Sequence, residues 1–293
     1  MSPLKKVIIF LLLTFSLSTL SYIALIRSGG GLFALTLMWS PGLAAIVTQF
    51  IAARNLRGLG WHFGPARWLG IAYILPVLYA LPVYAFTWLT GLGKFLNPYQ
   101  ISTLTRQYAS PGLASAVTVY VFLNATYAWL VPNLVMALGE EIGWRGLLVP
   151  ELAKITSFTK TALISGIIWA AWHMPVIFLT GYYQGEGTPV VYSAACFAVM
   201  IVSGSFAYAW LRLKSGSLWT AAFLHASHNV FLDALSRITG DTGITAYIIG
   251  EFGIGLALTS VVVAYVFWRM QKDDRINREK EIASNSPYLQ ESA

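Results

Sequence analysis

The chain has 293 residues, 57% of them hydrophobic and only 11% charged, with a net charge of +7 and a mean hydropathy of +0.64. Soluble domains carry about 25% charged residues, so the composition excludes an ordinary soluble domain and points to a polytopic membrane protein. The basic residues are spread over loops and the tail, which argues against nucleic acid as a partner, and a single cysteine in an apolar run, Cys196, leaves no disulfide framework and no cysteine metal site.

Taken in order, the sequence offers eight apolar stretches near the roughly 20 residues that a spanning helix needs: 7–26, 32–53, 69–89, 114–138, 161–179, 190–211, 218–235 and 246–268. The expected fold is therefore all-α, a helix bundle occupying 1–268 with a charged cytoplasmic tail over 269–293. The first stretch, behind Lys5 and Lys6, is longer than the h-region of a signal peptide and lacks a small-x-small cleavage site, so it reads as a retained helix. Pro41, Pro76 and Pro82 predict kinks in the second and third spans. The fourth is anomalous: apolar residues continue from 114 to 149, so that helix either tilts and projects or breaks near Pro132 and Asn133. With the N-terminus inside, fifteen Lys and Arg fall on the cytoplasmic side and four (Arg27, Lys94, Arg106, Arg237) outside. That bias supports an even number of spans with both termini cytoplasmic. The tail after Trp268 mixes charges and reads as solvated and disordered.

Ionisable groups inside such a chain are the informative residues, since one charge at the centre of a spanning helix costs about 2.5–3.5 kcal/mol on insertion scales. Glu140 and Glu141 are adjacent, and Glu141 and Arg145 are four apart, the spacing of a helical ion pair. That pair can lock helices together or serve function. Glu140, rotated about 100° from it and without a partner at helical spacing, is the better candidate for chemistry. His173, His225 and His228 also lie in apolar spans. Counted from the cytoplasmic ends, His173 and His225 sit roughly 18 and 12 Å deep and Glu140 roughly 15–20 Å, so three helices offer Glu, His and His at one level. His225 and Asn229 share a helix face, and an amide and an imidazole so placed can stabilise an oxyanion or ligate a metal. Asp233, four residues after Asn229, reads as a structural anchor of that helix, and Glu251 as a structural partner of Arg237. No His-Glu-x-x-His segment occurs, and Ser203-Gly204-Ser205 reads as helix packing by small residues.

The ordered set Glu140-Glu141-x-x-x-Arg145, Trp169-x-x-x-His173 and His225-x-x-x-Asn229 resembles the CPBP intramembrane proteases, relatives of the CAAX-processing endoprotease and of bacteriocin-immunity proteins. The resemblance covers 114–235, and Trp169 stands where the family usually has phenylalanine. It implies a catalytic set of Glu140, His173, His225 and Asn229. Glu140 would activate water, His173 would position it, and His225 and Asn229 would hold the oxyanion. Glu141, Arg145 and Trp169 would support them. Zinc on Glu140, His173 and His225 would fit a two-histidine, one-carboxylate site, and a metal-free glutamate mechanism uses the same residues. The expected function is an intramembrane endopeptidase with a cytoplasm-facing cavity, an integral multi-pass protein that would sit in the cell membrane if its host is bacterial or archaeal. Its partners would be membrane lipid and a membrane-associated or lipid-modified peptide. A proton-coupled carrier and a non-catalytic immunity or scaffold protein are the alternatives.

Overall fold

A computed structural model describes residues 1–28, 31–96, 98–107, 112–125, 127–180 and 187–284. Where water is scarce the backbone must satisfy its own hydrogen bonds, and the apolar runs do so as helices: α1 (Pro3–Ser28), α2 (Gly31–Ala53), α3 (Ala66–Leu89), α4 (Pro98–Gln107), α5 (Leu113–Ala125), α6 (Tyr127–Glu141), α7 (Val149–Ala153), α8 (Phe158–Thr180), α9 (Val190–Ser215), α10 (Leu218–Arg237) and α11 (Ile254–Ser284). A two-residue antiparallel pairing of β1 (Lys94–Phe95) with β2 (Thr239–Gly240) ties the loop after α3 to the end of α10. The fold is all-α apart from this clip. α2, α3 and α6 run on through Pro41, Pro76, Pro82 and Pro132.

Among the described residues six helices are long and apolar enough to cross a membrane: α1, α2, α3, α8, α9 and α11. The protein is an integral, multi-pass membrane protein. Its outer surface agrees, with Leu12, Leu78, Phe178 and Val262 exposed on four of these helices. The sequence expectation of eight counted two further stretches. The 114–138 run is shared between α5, of 13 residues, and α6, of 15. α10 has 20 residues, but His225, His228, Asn229 and Asp233 dilute its apolar character. α10 is an inner helix that packs on α3, α6 and α9, with most of its length buried.

The connections are tight where the site needs them to be. α9 stops at Gly216, whose φ of 71° is left-handed, and the Ser217 side chain then caps α10 by accepting the Trp219 amide at 3.1 Å. The polar tail departs from expectation. α11 continues past Trp268 to Ser284, because Lys, Arg, Glu and Gln are good helix formers, and Lys214 Nζ holds Asp274 at 2.6 Å. Residues 285–293 lie outside the described ones.

At the far end of the site segment Glu151 binds the start of α1: Lys6 Nζ lies 3.0 Å and Lys154 Nζ 2.8 Å from its Oε1. Burial pushes this carboxyl up, but the hydrogen bonds and charges of the two lysines outweigh it and hold it below its ordinary value of 4.5. A carboxyl lowered on folding stabilises the fold above its unfolded value, and that stability is lost as pH falls through the folded one. Glu151→Gln is therefore expected to lower thermal stability in detergent at neutral pH by about 1 kcal/mol, with the gap to wild type closing below pH 4.5.

Candidate active site

The site is built where α6 meets α2 at backbone distance. A Cβ on Gly139 would lie 2.8 Å from the Trp39 ring, and one on Gly143 only 2.5 Å from Pro41 Cβ. Four apart, these glycines form the small face that lets two helices touch, and the intervening Glu140 and Glu141 are thereby aimed at the bundle interior. Beyond Glu141 the helix widens into a π-helical segment over Ile142–Leu148, every residue of which is buried. Such widened turns recur at functional sites.

Glu141 and Arg145 form the expected pair, with Nη1 2.9 and 3.1 Å from the two carboxylate oxygens. Both side chains are fully enclosed. The guanidinium lies between two aromatic faces, 4.0 Å from the Trp169 centroid and 4.1 Å from that of Tyr208, and Nη2 reaches Ser205 Oγ at 3.4 Å. Glu141 Oε1 also meets His225 Nδ1 at 2.9 Å. The pair is thus structural in geometry, and it orients a histidine.

Glu140, 2% exposed, uses one oxygen only: Oε2 accepts from Trp169 Nε1 at 2.7 Å and from Trp144 Nε1 at 3.3 Å. Trp144 lies four residues on and was readable from helical spacing, whereas Trp169 reaches across from α8. The His173 ring sits 2.9 Å from the Trp169 carbonyl through Nδ1. Since a carbonyl only accepts, Nδ1 carries the hydrogen, and in the neutral ring Nε2 keeps its lone pair.

Glu140, Trp169, His173, His225 and Asn229 all line one cavity of about 540 Å³. Glu140 Oε1, the Nε2 atoms of both histidines and the Asn229 amide make no side-chain hydrogen bond among the described residues, and none is a fully buried orphan. They are uncommitted polar groups on residues that line the same cavity. His228 differs: both ring nitrogens are occupied, Nδ1 by the Tyr79 hydroxyl and Nε2 by Glu251 at 2.9 Å. This corrects the expected partnership of Glu251 with Arg237. Arg237 pairs instead with Asp233 at 2.6 Å, one turn away on its own helix, so Asp233 has a structural partner within α10. Tyr79 and Tyr208 lie too far from the motifs along the chain for any local spacing to have flagged them.

The residues considered for zinc were Glu140, His173 and His225. Among the described residues no group of three His, Cys, Asp or Glu side chains is arranged to hold a metal ion. The Nδ1 atoms of both histidines and one Glu140 oxygen have protein partners, an arrangement that metal-ligating histidines also show, and Nε2 of each histidine and Glu140 Oε1 stay uncommitted.

Residues 121–231, which contain all of these cavity groups, match the Rce1-like family, described as Type II CAAX prenyl endopeptidase Rce1-like. Over this region the chain is similar to the Rce1-like CAAX proteases. The chain is also 30% identical over 134 residues to CAAX prenyl protease 2 of Methanococcus maripaludis, an alignment covering 45% of this chain and 47% of that protein. It thus matches about half the length of that curated relative. The resemblance read from the three motifs stands, with the Rce1-like region running from within α5 to within α10.

Gly143→Ala tests how this region is positioned. The added methyl meets Pro41, a backbone-fixed neighbour that cannot swing away, so the substitution should cost about 1–3 kcal/mol. The check is the melting temperature of the purified variant in detergent.

Proposed function

We propose that the protein is an intramembrane endopeptidase that hydrolyses a peptide bond in a membrane-associated substrate within this cavity. The observation that carries the reading is the group of four uncommitted polar atoms, Glu140 Oε1, His173 Nε2, His225 Nε2 and the Asn229 amide, on residues that line one cavity. Relationship to a protein named CAAX prenyl protease 2 supports a lipid-modified peptide as the substrate class. The excess of basic residues on one side supports a cavity reached from the cytoplasm, with both termini on that side.

Each group has chemistry suited to one step. Trp144 and Trp169 hold Glu140 Oε2, leaving Oε1 to take a proton from a water molecule as its oxygen attacks the scissile carbonyl. His173, with its hydrogen fixed on Nδ1, presents a lone pair at Nε2 that orients the same water. His225 serves the opposite charge. The Glu141 carboxylate at Nδ1 balances a doubly protonated ring, whose Nε2–H donates to the carbonyl oxygen as it becomes negative, beside an N–H of Asn229. The proton held by Glu140 then passes to the departing amine as the carbon–nitrogen bond breaks. Desolvation strengthens these interactions relative to water. No step is assigned to a metal.

The test is cleavage of a peptide library by purified protein in detergent. Glu140→Gln should reduce turnover by at least about a thousandfold, because general-base catalysis and its positioning are lost together. Asn229→Ala should lower kcat about 10²–10³-fold, the cost of one oxyanion donor. Chelator should leave the wild-type rate unchanged. Full activity in the Glu140 variant would overturn the reading, and loss of activity on chelation would overturn its metal-free form.

A further inference from the structure

One wall of the cavity is a single face of α9, carrying Phe197, Met200, Ile201, Gly204, Ala207 and Tyr208. The sequence Ser203-Gly204-Ser205 reads as close helix packing, and for Ser205 the structure agrees: a Cβ on Gly166 of α8 would come 2.9 Å from its hydroxyl. Gly204 has no such explanation. A Cβ there would meet nothing within 4 Å. Its backbone is ordinary helix, with no positive φ to require glycine, and glycine is the poorest helix former after proline. Gly70 has equal room but lies on the exposed surface, whereas Gly204 is half-buried and lines the cavity.

Its location along α9 says what the space adjoins. Phe197 packs on His173 with ring centroids 4.9 Å apart, and Tyr208 on His225 at 6.3 Å. Gly204 lies between them, roughly 10 Å along the axis from the first and 6 Å from the second. The gap is therefore beside the proposed reacting groups, and the same cavity holds Glu140 with an oxygen lacking a partner. Hydrocarbon side chains also line this cavity: Met200 and Ile201 on the same face, Met136 from α6 and Val263 from α11.

We propose that Gly204 is a specificity-determining residue, whose missing side chain leaves room for a bulky apolar group of the substrate beside the bond that is cut. This rests on the endopeptidase reading and extends it. The group is an apolar side chain or a hydrocarbon chain attached to one, and the test separates the two.

The experiment uses the full chain in detergent and a peptide that the library assay returns. That peptide is made with alanine, leucine, phenylalanine or an S-alkylated cysteine at each position flanking the cut bond. Gly204→Leu should lower the ratio of kcat/KM for the bulky peptides to kcat/KM for the alanine peptide by about tenfold or more, since a hydrophobic pocket discriminates at that scale per methylene. A fall for leucine and phenylalanine identifies the group as a side chain, and a fall confined to the S-alkylated peptides identifies attached hydrocarbon. Gly204→Ala should melt no lower than wild type, because its methyl enters open space. An unchanged ratio in Gly204→Leu, with wild-type cleavage intact, would overturn the inference and leave the endopeptidase reading standing, as would a clear drop in melting temperature for Gly204→Ala. If wild type cleaves nothing, that reading fails. The pocket is then judged by binding, with tryptophan fluorescence followed as the S-alkylated and alanine peptides are titrated. Selective weakening of the alkylated peptide by Gly204→Leu supports the pocket, and equal affinities for both chains overturn it.

Discussion

Burying one positive and one negative charge in an apolar bundle is the constraint on which the rest of this structure depends. Removing two ions from water costs several kcal/mol each, and their attraction offsets this only when geometry and further hydrogen bonds are good. Here Glu141 takes both oxygens to Arg145 and one also to His225, while the guanidinium lies between Trp169 and Tyr208 and touches Ser205. Each cation–aromatic contact contributes about 0.5–2 kcal/mol when desolvated. The compensating groups come from α8, α9 and α10, so a charge on the π-helical segment is tolerable only when those helices are in register with it. Energetic necessity and positioning are the same requirement. The carbonyl of Arg145 is itself held, at 2.8 Å, by Nε of Arg212.

The same arrangement separates three histidines by role. His173 and His225 each have one nitrogen fixed by protein and one uncommitted, whereas His228 has both engaged by Tyr79 and Glu251 and therefore joins α3, α10 and the segment before α11. A proton-transfer or oxyanion role needs a nitrogen that is not already occupied, which directs the proposed chemistry to the first two. Trp169 adds a contribution that phenylalanine, the usual residue of the CPBP family, could not make: its indole N–H fixes Glu140 while its face covers Arg145.

Much of this was legible in the sequence because it is local. Glu141 with Arg145 and His225 with Asn229 declare themselves by four-residue spacing, and an apolar composition makes any charge conspicuous. The helical class follows from the same composition. What was not legible depends on contacts between distant segments. Nothing near Glu251 says that it will meet His228 rather than Arg237, since both lie on α10 and the choice is made by how the preceding loop folds. The glycines beside the glutamates carry no side-chain chemistry, and their role appears only once Trp39 and Pro41 lie against them. The length of the apolar run through 149 left open a tilted, projecting helix or a break near Pro132, and α6 runs on through Pro132. The irregularity within α6 and its continuation is instead a widened turn after Glu141, where the charged pair must be accommodated.

That α10 carries two histidines, an asparagine and an aspartate has a consequence for how the chain enters the membrane. A segment so polar partitions poorly into lipid by itself, and its imidazoles find hydrogen-bonding companions only on α3, α6 and the stretch leading to α11. Its integration is consequently tied to helices made both before and after it. That stretch follows α10 in the chain, so the polar groups of α10 have their full set of partners only once it has been made.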